Sequence, residues 1–259
     1  MKDVQNERDE RNIPINKVGI RGLRIPIVVR DQSQQRQATI ADVNMYVNLP
    51  HHYRGTHMSR FGEILHRYAH DLSLEHLESI LTEMKQRFEC EEAHIEISFP
   101  YFIMKSAPVS GMQSYMEYRC SVQASLGENL SLTMGVEVPI HSLCPCSKEI
   151  SSYGAHNQRG IVRIQAQTKG FVWFEELISL AEKQASAPLF TILKRSDEKY
   201  ITEKAYTNAK FVEDTARDIA LALNRDERIL WYHIEVENEE SIHNHNAYAC
   251  IMRNKTDED

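Results

Sequence analysis

Along the chain the spacing of apolar residues switches repeatedly between a period of two and a period near 3.6, and those switches predict the elements. Val18 to Arg30 and Gln37 to Leu49 carry β-branched and apolar residues broken by polar ones, and Asp31 to Gln35 between them has turn composition, so two strands are predicted. From Leu74 the positions Leu77, Leu81, Met84 and Phe88 follow helical spacing, with Ser73 placed to cap the start. Ile95, Ile97 and Phe99 alternate, Met116 to Val122 is strand-like, and Leu132 to Ile140 alternates again. Beyond a loop holding Cys144 and Cys146, Val162, Ile164 and Ala166 predict a further strand. Phe174, Leu177, Ile178 and Ala181 then mark one helix face, and Val212, Ala216, Ile219, Ala220 and Leu223 mark another. Leu230 to Val236 and Ala247 to Met252 predict the closing strands.

The resulting order is β-β-α-β-β followed by β-β-α-α-β-β. Antiparallel pairs with helices inserted between them imply an α+β fold whose helices cover one sheet face. The doubling of element order, unaccompanied by any residue-level repeat, divides the chain into a first module over 18–126 and a second over 127–254. Such sheets leave edges that association can remove, so a homo-oligomer is expected. Residues 1–17 are expected to form a mobile tail, because Met1 to Asn12 contain almost nothing apolar, and 255–259 a frayed end.

Composition narrows the class. The 259 residues are 42% hydrophobic with only 10 Gly and 8 Pro, which excludes low-complexity and wholly disordered architectures. With 30 basic and 37 acidic residues the formal charge is −7, which argues against a non-specific nucleic-acid binder. No run approaches the roughly 18 to 20 apolar residues of a membrane span, and no signal-peptide core stands at the start, so a cytoplasmic protein without a membrane partner is expected. Five cysteines, odd in number and unevenly spaced, read as thiols or metal ligands rather than as a disulfide framework.

The most unusual stretch runs from Ser142 through Cys144, Pro145 and Cys146 to Ser151, followed by Gly154-Ala-His-Asn-Gln-Arg-Gly160. Two thiols and an imidazole so close together suit a borderline-soft divalent ion, and a catalytic site keeps one coordination position open. The alternative is that both cysteines are small buried hydrophobes. His243 and His245 in Ser241-Ile-His-Asn-His-Asn246 can face one side of an extended chain and transfer protons near neutral pH, or belong to a polar turn. His51, His52, His66, His70 and His76 read as surface histidines. Two cationic segments, Arg54-Gly-Thr-His-Met-Ser-Arg60 and Leu193-Lys-Arg-Ser-Asp-Glu-Lys-Tyr200, can grip phosphates or form solvated loops.

Taken jointly these segments closely resemble GTP cyclohydrolase type IB, a prokaryotic enzyme family. The resemblance covers nearly the whole chain from Val18 and is carried by Gly55-Thr-His-Met-Ser-Arg-Phe61, Leu143-Cys-Pro-Cys-Ser-Lys-Glu-Ile-Ser151, Gly154-Ala-His-Asn-Gln-Arg159, Asp197-Glu-Lys199, Phe211-Val-Glu-Asp214 and His243-Asn-His245. It implies a tunnelling fold, in which two modules per chain assemble with other subunits into barrels, as a tetramer with active sites at the interfaces. It implies hydrolysis of a cyclic amidine C–N bond: GTP and water give 7,8-dihydroneopterin triphosphate and formate, the entry to folate and related pterins.

The resemblance also distributes roles. Cys144, His156 and Glu198 would hold a divalent manganese, iron or zinc ion that activates the water attacking guanine C8, so Cys144 counts as catalytic too. His243 and His245 would move protons, and Glu213 would anchor guanine through N1–H and the exocyclic amine. The triphosphate would need cations, for which Arg60, His57, Lys148, Arg54, Lys194 and Arg195 are the candidates, in no order of rank, with Lys148, Arg60 and His57 assigned to substrate binding. Cys146 is open between a direct role and a buried one. Rival readings are a nitrile reductase of the same fold and a non-catalytic module whose closed metal site only stabilises a loop.

Overall fold

The computed structural model describes residues 5, 7–33, 36–68 and 74–256. Two expected features, the Ser73 cap and His70, lie outside the described residues, as do parts of the Gln35 turn and of both termini. The period-two stretches form β1 (Ile15–Arg30), β2 (Arg36–Leu49), β3 (Ala93–Ser106), β4 (Gln113–Leu126) and β5 (Leu130–Leu143). Further along come β6 (Asn157–Thr168), the two-residue β7 (Ala187–Pro188), β8 (Ile229–Asn238) and β9 (Ala247–Asn254). The helices are α1 (Met58–Tyr68), α2 (Leu74–Phe88), α3 (Pro145–Ile150), α4 (Phe174–Gln184), α5 (Arg195–Thr207) and α6 (Val212–Arg225). Antiparallel sheet and helix together make the expected α+β class. The chain divides into two units, Met1–Pro100 with Ser121–Thr133, and Tyr101–Cys120 with Met134–Asp259.

In the first unit β1, β2 and β3 pair antiparallel, with Ile25 opposite Ala41 and Met45 opposite Ile95. Alternation does the sorting: Ala41, Val43, Met45 and Val47 are buried along β2 while the residues between them are not. The register of β1 slips between Ile20 and Leu23. There Gly22 takes a left-handed φ of 71° and its N–H donates to Asn44 Oδ1 at 2.8 Å, a bulge that any side chain would strain. Helix α2 buries Leu77, Ile80, Leu81 and Met84, and Phe61 of α1 stacks on Phe88 with ring centroids 4.3 Å apart.

Two differences from the sequence expectation stand out in this unit. The segment expected as a loop through Arg60 becomes helix from Met58, because Phe61, Ile64 and Leu65 form a short buried face that three apolar residues signal only weakly. The described part of the expected tail is not loose. The N–H groups of Gly55 and Arg54 donate to Gln5 O and Glu7 O, each at 3.1 Å, and Asp9 N–H donates to His52 O at 3.2 Å. Backbone pairing of this kind holds a polar segment without any apolar side chain.

In the second unit the part of β5 from Met134 onward, β6, β8 and β9 are neighbours in that order, with β7 against β5. Ile164 of β6 stands opposite Ile234 of β8, which stands opposite Ile251 of β9. Helix α6 turns Val212, Ala216, Ile219 and Leu223 inward as its spacing predicts, and packs on β8 and β9. Helix α5 is not legible from periodicity. Only Asp197 and Ala205 of its thirteen residues are buried, so its sequence has the composition of the solvated loop expected there. Beneath α4, Lys105 Nζ donates to Glu182 Oε1 at 2.6 Å and lies 4.3 Å above the ring of Phe190. Tyr118 donates its hydroxyl to the same carboxylate oxygen at 2.6 Å.

Candidate active site

The thiol segment begins where β5 ends, and the end of β5 is pinned from three directions. Leu143 N–H donates to Ser186 Oγ, Lys210 N–H donates to Leu143 O, both at 3.2 Å, and Asn238 Nδ2 donates to Ser142 Oγ at 2.8 Å. Cys144 then caps α3, a helix that Pro145 opens at the one position where a missing N–H costs nothing. The Cys144 sulfur accepts from Ser147 N–H at 3.5 Å, and the Ser147 hydroxyl donates to Cys144 O at 3.2 Å. Cys144 is half-buried, whereas Cys146 is exposed on α3, so the buried reading of Cys146 does not hold.

His156 joins this segment through the backbone. Its carbonyl accepts from Cys144 N–H at 3.2 Å, and its N–H donates to Ser147 Oγ at 3.2 Å. The loop between β8 and β9 reaches the same imidazole, with Ser241 Oγ 3.4 Å from His156 Nδ1. Gln158 bridges as well: its Oε1 lies 3.0 Å from His156 Nδ1 and its Nε2 donates to Glu240 Oε1 at 3.0 Å. The loop's two histidines, His243 and His245, are exposed, and their rings stack with centroids 5.2 Å apart, the same-side arrangement that i and i+2 spacing predicts. Close approach is built in at Gly160, where a Cβ would stand 2.3 Å from Asn238 Oδ1.

Neighbouring carboxylates take opposite fates. Asp197 is fully buried and accepts from Val109 N–H, Ser110 N–H and Lys194 N–H at 2.8 Å each, and from Ser110 Oγ at 2.6 Å. Burial opposes its charge, but the Ser110 hydroxyl and these amides outweigh burial and hold its carboxyl well below the usual carboxylate range. Glu198 is one residue on, exposed in the first turn of α5. Glu213 likewise stands exposed in the first turn of α6, beside Asp214, whose carboxylate accepts Phe211 N–H at 3.1 Å. Lys148 is occupied: its Nζ donates to Tyr206 O at 2.7 Å and sits 4.6 Å over the Tyr206 ring.

His57 and Arg60 belong to the first unit, where they help line a cleft of about 290 Å³ with Arg87, Tyr53 and Asn48. Arg60 donates to Arg87 O at 3.0 Å, while Arg54 is ion-paired with Glu7. Lys194 and Arg195 are exposed at the start of α5. The structure thus brings together Cys144, His156 and the loop of His243 and His245, and puts Lys148, Glu198 and Glu213 on helices of the same unit.

For a divalent ion the donor chemistry of Cys144 and His156 fits, a thiol and an imidazole from adjoining backbone. Among the described residues no three His, Cys, Asp or Glu side chains converge as a ready-made cage. Sequence reasoning gave no role to Gln158 and Ser241, which lie within quoted motifs, or to Glu240, which adjoins one. It also missed His141 on β5, whose Nδ1 is buried without a hydrogen-bond partner and whose pKa is lowered by burial despite a bond with Asn157.

Comparison with known proteins gives these positions a context. The model of a family described as GCHY-1, type I GTP cyclohydrolase folE2, matches residues 1–249. The chain is 56% identical over 252 residues to GTP cyclohydrolase FolE2 of Thermosipho africanus, covering 97% of each. With the same enzyme of Geobacter sulfurreducens it shares 54% over 255 residues, 98% of this chain and 99% of the relative. Among solved structures it is similar to urate oxidase from Bacillus sp. TB-90, with a TM-score of 0.56 at 10% identity over 93% of this chain and all of that one. Uricase from Arthrobacter globiformis gives a TM-score of 0.54 at 12% identity, covering 94% and 96%. Identity that low speaks for the fold alone, whereas the near full-length relatives speak for the family. The chain belongs to the type I GTP cyclohydrolase folE2 family.

Proposed function

We propose that this chain is a type IB GTP cyclohydrolase that converts GTP and water to 7,8-dihydroneopterin triphosphate and formate, supplying folate or related pterins. The observation that carries the reading is the meeting of separate segments at one residue, His156: Cys144 bonded to its backbone carbonyl, and Ser241 of the two-histidine loop against its ring. Cys144, His156 and Glu198 would hold a divalent manganese, iron or zinc ion. A bound ion of that kind supplies a water nucleophile at neutral pH.

The remaining work falls to the chain. Glu213 accepts guanine N1–H and the exocyclic amino group, a pair of donors that adenine does not offer. His243 and His245 deliver a proton to N7 as the imidazole ring opens and relay protons in the later ring closure. Lys148, His57 and Arg60 neutralise the triphosphate, Lys148 by exchanging its bond to Tyr206 O for one to phosphate. Support for a homo-oligomer, read here as a tetramer with interface active sites, comes from apolar side chains exposed beside the thiol segment, Ile150 at 85% and Tyr153 completely, and from Ile242 in the histidine loop. Net charge of −7 argues against a nucleic-acid partner, and among the described residues no helix is long and apolar enough to cross a membrane. Five free thiols fit a cytoplasmic setting.

The test strips the purified protein of metal, restores manganese, iron or zinc separately without oxygen, and follows formate release and the fluorescence of the oxidised pterin from GTP. Metal-dependent release by wild type and none by Cys144→Ala is the expected result. No release with any of the three ions from protein that is folded and binds GTP overturns the reading.

A further inference from the structure

We infer that Gln158 and Glu240 form a polarity relay that locks His156 in the tautomer carrying its proton on Nδ1 and leaves the Nε2 lone pair free to ligate. The inference rests on the reading of His156 as a ligand and adds two positioning residues to it. The order of bonds carries the argument. A carboxylate can only accept, so the Glu240 oxygen, 3.0 Å from the Gln158 side chain, takes a hydrogen from its amide nitrogen. That orients the amide, whose oxygen must then face the other way, toward His156 Nδ1 at 3.0 Å. An amide oxygen has no hydrogen to give, so Nδ1 must be the donor. In a neutral ring with Nδ1 protonated, the lone pair lies on Nε2.

Rigidity makes the relay effective. Gln158 is 8% exposed, near the start of β6, and cannot turn its amide over without breaking both bonds. Ser241 Oγ, 3.4 Å from the same Nδ1, is a hydroxyl that can donate or accept and so agrees with either state, which leaves Gln158 as the group that decides. Glu240 belongs to the segment that leads into His243 and His245, so the relay also ties the position of that loop to the ring it serves. Ligating histidines generally depend on such a partner at the second ring nitrogen, whose loss weakens metal affinity by roughly 10 to 100-fold.

Reversing the polarity tests it. Glu240→Lys places a group that can only donate where an acceptor stood, so the Gln158 amide must turn and present its NH₂ to Nδ1. His156 should then carry its proton on Nε2. Adding Gln158→Glu to that variant gives a carboxylate that accepts from both the introduced ammonium group and the ring, restoring protonation at Nδ1. The readout is nitrogen NMR of the metal-free, histidine-labelled protein at a pH where the ring is neutral, which reports the tautomer of His156 without metal or GTP.

Wild type protonated at Nδ1, the single variant switched to Nε2 and the double variant returned would establish the relay. Wild type protonated at Nε2, measurable whether or not any variant folds, overturns it, as does a folded single variant that keeps Nδ1–H. Metal uptake is measured alongside. A tautomer that switches as described while uptake of manganese or zinc stays unchanged leaves the relay standing and removes His156 from the ligands, so the two ideas fail separately.

Discussion

Asp197 and Glu198 are adjacent acids on one helix, and they separate the two kinds of polar region in this protein. Asp197 points inward, where four donors saturate it, and with Lys105, Glu182 and Tyr118 it belongs to a buried polar framework in which charges have partners within the chain. Glu198 points outward, and Glu213, His243 and His245 are exposed as it is. One residue of helix phase, about 100°, makes the difference. A saturated carboxylate is held in its charged form and has no capacity left for a ligand, whereas an exposed one costs little to keep ready. Composition alone cannot tell the two apart, because both are acids in the same run.

Substitution should expose the contrast, beginning with the largest effect. Cys144→Ala is expected to abolish formate release, by about 10³-fold or more, because under the proposed function it removes a metal ligand and with it the water nucleophile. Its thermal midpoint should stay close to wild type, since the sulfur is half-buried and accepts one long bond. A large loss of stability would place Cys144 in the framework instead. Glu213→Gln is expected to lower kcat/KM for GTP by about 10²-fold, as one acceptor of the proposed two-point contact to guanine becomes a donor. Melting curves matching wild type would accompany that loss, and unchanged kcat/KM would remove Glu213 from the guanine site.

Lys105→Met attacks the framework. The pair with Glu182 is largely buried, at 11% and 15% side-chain exposure, and breaking it should cost about 3 kcal/mol in denaturant unfolding. Metal affinity should not change, and a change would mean that framework and site are coupled. Asp197→Asn gives a subtler signature in pH. The native carboxyl titrates below its ordinary value of 3.8, so its contribution to stability is present above that value and is lost as pH falls toward the lower native one. The stability gap between wild type and Asp197→Asn should therefore be full at neutral pH and narrow on acidification below about 4. A gap independent of pH would show that the charge of Asp197 is irrelevant. Smallest of all in stability, Cys146→Ala should shift the thermal midpoint little, since its thiol is exposed on α3, and loss of the metal from this variant but not from Cys144→Ala would exchange the proposed roles of the two thiols.

Much of the fold is legible because amphipathic period survives in sequence. The strands with alternating burial and helices α2, α4 and α6 stand where apolar spacing puts them. Helix α5 is not legible, because a helix that buries only Asp197 and Ala205 leaves no apolar stripe to count. The tie between Gln5 to Asp9 and the loop at His52 to Gly55 is not legible either, since backbone hydrogen bonds carry no residue signature.

The site divides along the same line. The chemical kinds of its residues, thiol, imidazole and carboxylate, and their family resemblance, are properties of the sequence by itself, because side-chain chemistry and local spacing are written residue by residue. Which acid of the Asp197–Glu198 pair is spent on structure, that Gln158 and Glu240 stand behind His156, and that a loop some eighty-five positions away meets the same ring were decided only by the tertiary structure. Those outcomes depend on which groups the packed elements leave within about 3 Å of one another, and that distance is set by the pairing of β6 with β8 and the seating of α5, not by any segment alone.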